Sequence, residues 1–352
     1  MSNKEVCISC FREKSGAVCK YCGYAETENR KSSLLPARTL LGGRYLIGEA
    51  DGIDSLSVEY KALDTQESRI VEVQEYFPRE YVSRAENAME LIANSDEHVR
   101  NFECNVEEIA INAGRVKTFS KSENVIRILD SFKDNNTVYI VKEYVEGMYL
   151  SDFLDSCDSP LDTETAVSLM ASVLSGLAVI HKAGMFHGSI SSQNIILTVN
   201  NEIKISDYGF LKNVSPYADE DKTVHYVPGF APPESYKLNG IQSSCSDVYS
   251  AAAVLYSIIA GKKPSDALNR MNGEALVPLK ELVPDLPDHV GESIAKAMNM
   301  EPALRFRSAA DFRSCLTKEK EIFEFENKPS SIRKHADKLL RKLRRRGGNQ
   351  ID

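Results

Sequence analysis

Residues 185–210 read MFHGSISSQNIILTVNNEIKISDYGF, with two polar clusters, His187–Asn194 and Asp207-Tyr208-Gly209, set among short apolar runs. Working outward, TAVSLMASVLSGLAVIHKAG (165–184) has the period of a helix. Before it, TVYIVKEYVEG (137–147) reads as a buried strand running into a hinge at Gly147. RIVEVQEYFP (69–78) reads as another strand, and residues 44–64 alternate like two strands around a turn. Downstream come PGFAPPESY (228–236) and the apolar helix SDVYSAAAVLYSIIAGKKP (246–264). Strands crowd the first half and helices the second, which predicts an α+β arrangement.

This succession resembles a eukaryotic-like protein kinase domain over about residues 44–318. It is most similar to bacterial serine/threonine kinases that carry an amino-terminal zinc ribbon and the strand Glu75-Tyr76-Phe77-Pro78. The resemblance implies a bilobal fold: a five-stranded N-lobe with one helix (44–142), a hinge (143–147) and a helical C-lobe (148–318), with a nucleotide cleft between the lobes.

Matched position by position, the groups that handle ATP are replaced. Of the glycine-rich phosphate loop only Gly52 remains, and Asp54 puts negative charge where phosphate would lie. Gln74 stands for the lysine that holds the α/β-phosphates, and Asn112 for its glutamate partner, with Glu108 one turn earlier as a stand-in. Glu59 and Glu72 fall where small apolar groups pack on adenine, and desolvating two carboxylates there is costly. In His187-Gly188-Ser189-Ile190-Ser191-Ser192-Gln193-Asn194, Ser189 replaces the catalytic aspartate and Ser191 the loop lysine. A positioned base contributes roughly 10²–10⁴-fold, and a neutral hydroxyl does not supply it. Gly188 removes the arginine that reads a phosphorylated activation loop.

Asn194 and Asp207 match the Mg²⁺ ligands of the family; they either hold metal or serve loop geometry. Lys142, just before the hinge, either plugs the site through an ion pair with Glu72 or Asp207 or snorkels to water. Scaffold positions persist: Ala231-Pro232-Pro233-Glu234 with Arg305 as its partner, and Asp247, which should bond the catalytic-loop backbone. Lost chemistry on a kept scaffold is the pattern of a pseudokinase, acting through an active kinase or its substrate as partner. A weakly active serine/threonine kinase or another nucleotide-dependent transferase is the alternative. ATP/Mg²⁺ is expected to bind weakly or not at all.

The 352 residues are 42% hydrophobic and 27% charged, an ordinary globular composition. Cys7-x-x-Cys10 and Cys19-x-x-Cys22 supply the four thiolates of a structural zinc site, with Gly23 free to turn backbone amides toward sulfur. Paired disulfides are the other reading, disfavoured in a reducing compartment. Residues 1–28 are taken as this ribbon and 29–43 as a linker. The net charge of −8 argues against specific nucleic-acid binding. Residues 331–352 nevertheless hold eight Lys/Arg and two Asp, a net of +6 that leaves −14 on the rest. Within the tail 319–352, residues 332–346 form a basic amphipathic stretch suited to an anionic membrane or a partner's groove. No apolar run approaching the ~18–20 residues of a membrane span is expected, nor a secretory signal, which places the chain in the cytoplasm or peripherally at the membrane.

Overall fold

The structure is a computed structural model that describes residues 6–14, 16–26, 33–85, 89–119, 122–208, 227–237 and 240–317. Gly209 and the basic tail therefore lie outside the described residues.

Five strands build the main N-lobe sheet, and a short sixth comes from the stretch read as linker. In chain order they are β1 (Leu40–Leu41), β2 (Tyr45–Ile53), β3 (Ser57–Asp64) and β4 (Arg69–Tyr76). A separate hairpin follows, β5 (Val82–Arg84) with β6 (Leu91–Ala93), then α1 (Asp96–Phe119), β7 (Ile128–Asp134) and β8 (Thr137–Glu143). The spatial order is β1-β2-β3-β4-β8-β7, antiparallel wherever neighbours pair. In β3, Val58, Tyr60, Ala62 and Asp64 are buried while Glu59, Lys61 and Leu63 are half-buried, the period of two that fixes which face meets the core.

The linker reading fails for residues 33–43 because two of the four leucines there are core residues. Leu35 and Leu41 are fully buried, and the Leu35 amide donates to the Tyr60 hydroxyl at 3.0 Å. Tyr60 in turn donates to Glu75, which also accepts from Tyr139 (2.8 Å) and from Arg84 (3.2 and 2.6 Å). Arg84 reaches on to the Ser33 carbonyl at 3.0 Å. A carboxylate with no solvent exposure is thus satisfied four times over, which is what its burial requires.

The C-lobe opens with β9 (Gly147–Tyr149), α2 (Leu150–Asp155) and α3 (Thr163–Lys182), then β10 (Ile195–Thr198) and β11 (Ile203–Ile205). Strands β9, β10 and β11 form a small sheet that presents the catalytic-loop region. Helices α4 (Ser244–Ala260), α5 (Ala267–Met271), α6 (Leu279–Leu282), α7 (Asp288–Ala297) and α8 (Ala309–Thr317) complete it. Asp162 caps α3 by accepting from the Thr165 amide. Ser243 and Ser246 form a capping box on α4, which ends at Gly261 with φ of 67°.

One expectation needs correction here. Helix α3 is long and apolar enough to cross a membrane, with a mean hydropathy of 1.6. Over half of that stretch is buried inside the protein, against α4 and α8, and the helix serves as the C-lobe core.

Candidate functional site

The β2–β3 turn carries the phosphate-loop positions. One Asp54 carboxylate oxygen accepts from the amides of Leu56 and Ser57, both at 2.7 Å. The carboxylate thus occupies backbone donors that a phosphate would need. Arg79 bonds the Asp54 carbonyl, and Phe77 N–H donates to Leu56 O at 2.7 Å, pinning the turn to the end of β4. Gln74, buried, donates to the Ser57 hydroxyl at 3.3 Å. The cavity bounded by Gly52, Asp54, Glu59, Gln74 and Asp207 is about 150 Å³. Small-molecule sites usually offer about 300–1,000 Å³.

Behind that cavity lies Lys142. The β4–β8 register sets it directly opposite Glu72, and its ammonium is 2.5 Å from Glu72, 2.9 Å from Glu59 and 3.6 Å from Asp207. Lys142 is 3% exposed, so it does not snorkel to water. Burial acts to lower its pKa, but the charges of Glu59, Glu72 and Asp207 win and hold the ammonium well above its ordinary value. Burial, opposed by Lys142 and reinforced by Glu72 and Asp207, pushes the Glu59 carboxyl up. Three carboxylates against one ammonium carry an excess of negative charge, so a proton on Glu59 eases the cluster. Asp207 adopts φ of 54°, a left-handed conformation that costs a non-glycine residue about 1–3 kcal/mol and persists where surroundings enforce it.

Helix α1 carries the two residues read at the glutamate position. Its buried stripe runs through Phe102, Val106, Ile109, Ala113 and Val116. Asn112 lies one residue off that stripe, half-buried, and Glu108 is exposed. The carboxylates that meet Lys142 come from β3, from β4 and from Asp207 after β11.

In the catalytic-loop region, Asn194 bonds the loop through both ends of its amide: Nδ2 donates to Ser189 O at 2.5 Å and Oδ1 accepts from Ser191 N at 3.0 Å. The Ser191 hydroxyl accepts from Gln193 N at 3.2 Å. The Ser189 hydroxyl is 3.5 Å from His187 Nδ1, while His187 Nε2 bonds Ser206 O at 2.8 Å. Ser189 brings no carboxylate to the place of the base.

The anchors beneath are intact. Asp247 accepts from the amides of His187 and Gly188, both at 2.7 Å, and is 2.9 Å from His181 Nε2. Gly188 has φ of 79°, which a side chain would resist. Glu234 and Arg305 form a buried two-pronged pair at 2.7 and 2.9 Å, with Ser246 donating to Glu234 at 2.7 Å.

The four amino-terminal cysteines converge. Cys7 and Cys22 sulfurs are 3.7 Å apart, as are Cys10 and Cys19, and all four lie within 4.8 Å of one another. Sulfurs bound at ~2.3 Å around a tetrahedral ion stand about 3.8 Å apart, so the donor set fits zinc; disulfides need ~2.05 Å. The two knuckles repeat each other: Phe11 N–H donates to Cys7 O and Gly23 N–H to Cys19 O, both at 2.9 Å. Gly23 has the anticipated positive φ, 73°, and Phe11 takes its place in the first knuckle at 56°. Bound metal there would join the knuckles and supply the folding energy such a short segment lacks.

A curled sheet over a helical lobe, joined at a hinge and locked by an activation-segment anchor, defines the protein kinase class of fold. The family model for the protein kinase domain matches residues 83–342, and the chain belongs to that family. The match begins after β4, beyond the turn that carries Asp54 and the strands that carry Glu59, Glu72 and Gln74. A probable serine/threonine-protein kinase of Clostridium acetobutylicum is 28% identical over 280 residues, covering 77% of this chain and 39% of the relative. The serine/threonine-protein kinase PrkC of Bacillus subtilis is 28% identical over 203 residues, 54% of this chain and 30% of PrkC. The chain therefore spans well under half the length of these relatives. Among solved structures, the apo form of PpkA-294 superposes with a TM-score of 0.72 at 22% identity, covering 81% of this chain and 99% of that one. The Mycobacterium tuberculosis PknI kinase domain superposes at 0.59 and 19% identity, covering 81% and 100%. At these identities the structures speak for the fold.

Proposed function

We propose that this kinase homologue is catalytically impaired and acts as a signalling scaffold or allosteric partner, by docking an active kinase or its substrate from the cytoplasmic side. The observation that carries the reading is the burial of Lys142 among Glu59, Glu72 and Asp207, where a nucleotide's base and phosphates would have to lie. The occupied loop amides and the missing carboxylate at Ser189 support it. In the same reading the four cysteines hold structural zinc.

A second reading has specific support. The similar proteins are named as serine/threonine kinases, which favours an ATP-dependent kinase. Asn194 and Asp207 occupy the metal-ligand positions, and Lys142 supplies from β8 a cation 3.6 Å from Asp207.

Thermal unfolding with and without Mg-ATP, paired with incubation in labelled ATP, separates the two. A ligand at 100 times its Kd stabilises by about 2.7 kcal/mol. Scaffolding predicts no shift and no label transfer. Mg²⁺-dependent stabilisation with transfer that disappears in Asp207→Asn establishes the enzyme reading.

A further inference from the structure

The cysteine ribbon is built onto the strand that leads to the phosphate loop. The Glu49 amide in β2 donates to the Ile8 carbonyl, inside the first knuckle, at 3.0 Å. Beside it, Gly48 permits a contact no other residue allows: a Cβ there would sit 2.2 Å from Ile8 O and 2.6 Å from the Phe11 ring. Ile8 is 5% exposed as a result.

Arg38 ties the same strand to both ends of the ribbon. Its amide donates to Ile47 O in β2 at 2.7 Å, and its Nε donates to Val6 O at 3.0 Å. Its two terminal nitrogens grip Glu26 at 2.8 and 2.7 Å, with Lys14 adding a third contact at 3.0 Å. Arg38 foremost, and Lys14 after it, hold the Glu26 carboxyl down at about 2 against the effect of burial.

The segment of β2 gripped in this way is also its least regular part. The pairing with β3 shifts register between Ile47 and Ala50 and again between Ala50 and Gly52. Such irregular pairing is held less firmly by ladder bonds, so an external brace matters more there. Six residues beyond Gly48, at Asp54, begins the turn that closes over the cleft.

We propose that the four-cysteine metal site is a clamp on β2, so that zinc occupancy sets the order of the phosphate loop and of the cleft beneath it. Zinc joins the two knuckles; the knuckles present Ile8 O and Val6 O in register; those carbonyls fix Glu49 and Arg38; and β2 delivers that order to residues 50–57. The proposal holds whether or not the cleft transfers phosphate.

The test uses the full chain, zinc-loaded or stripped by a chelator under reducing conditions, read by hydrogen exchange and zinc content. Stripping should accelerate exchange of the amides of residues 50–57 several-fold, with re-addition of Zn²⁺ restoring protection and α4 unaffected as the folding control. Glu26→Gln, and more strongly Arg38→Ala, should still bind one zinc per chain while residues 50–57 no longer respond to it. A chain that binds no zinc overturns the proposal. So does exchange that changes only in residues 6–26 and at the Glu49 amide, or an Arg38→Ala protein with full zinc-dependent protection of 50–57.

Discussion

Lys142 and Glu72 face each other across adjacent antiparallel strands, with the ammonium 2.5 Å from the carboxylate. The pairing is a consequence of sheet register and does not depend on a mobile loop. A ligand entering the cleft would have to break an ion pair that two paired strands hold in place. The electrostatic consequences can be measured.

Lys142→Met should destabilise strongly at neutral pH, because it leaves Glu59, Glu72 and Asp207 facing one another without a cation. Breaking a buried pair costs about 3–5 kcal/mol. At ~2–4 °C per kcal/mol for a chain of this size, the melting temperature should fall by roughly 6–20 °C. The loss should shrink toward pH 5 as Glu59, whose carboxyl burial raises, takes up a proton and the negative charge left without a cation falls. Equal melting temperatures for both proteins at pH 8 would remove the ion cluster from the account.

Glu59→Gln should do the opposite. The folded protein raises this carboxyl above its ordinary value, so between about pH 4.5 and the neutral range the folded state binds more protons than the unfolded chain. Stability therefore falls as pH rises through that window. The amide abolishes this contribution while Lys142 keeps Glu72 and Asp207. Thermal melts from pH 5 to 8 should show a flatter profile than wild type and a higher midpoint at pH 8.

Arg305→Ala should cost about 3–5 kcal/mol, since among the described residues it leaves buried Glu234 with only Ser246 as a side-chain partner. Adding Glu234→Ala to it should cost less than the sum of the two single losses. A double-mutant cycle in urea reads the coupling; strict additivity would mean the pair contributes nothing as a pair.

Restoring the base alone should restore nothing. Ser189→Asp supplies a carboxylate worth roughly 10²–10⁴-fold in a competent site, but the loop amides and the cleft stay occupied. Labelled-ATP incubation should find no transfer above the wild-type level. Transfer from this single variant would mean that the cleft already binds nucleotide productively.

Much of the cleft could be read from sequence because its residues lie on strands whose period leaves little freedom. Glu59, Glu72, Gln74 and Lys142 are anchored by strand alternation, and the structure brings all four to one place. Helix α1 was harder. A 24-residue helix with polar residues interspersed tolerates a shift of one, and position 112 lies beside the stripe formed by Ile109 and Ala113. Residues 33–43 look like a tether in sequence because their four leucines have no regular period, and only tertiary partners reveal Leu35 and Leu41 as core. The capping by Asp54 was readable: an acidic residue followed two and three positions later by amides in a tight turn is a recognised local motif. The grip of Arg38 on Glu26 has no such signal, because nothing in local sequence pairs residues across a cysteine knuckle.

The burial of Leu35 and Leu41 has a practical corollary for anyone trimming the gene. A fragment begun at Arg44, where kinase-like strands first become recognisable, would lack two core side chains and the outer neighbour of β2. Unpaired strand margins of this kind recruit other chains. Such a fragment should come out of cells as sticky oligomers, whereas one begun ahead of Cys7 should stay monodisperse.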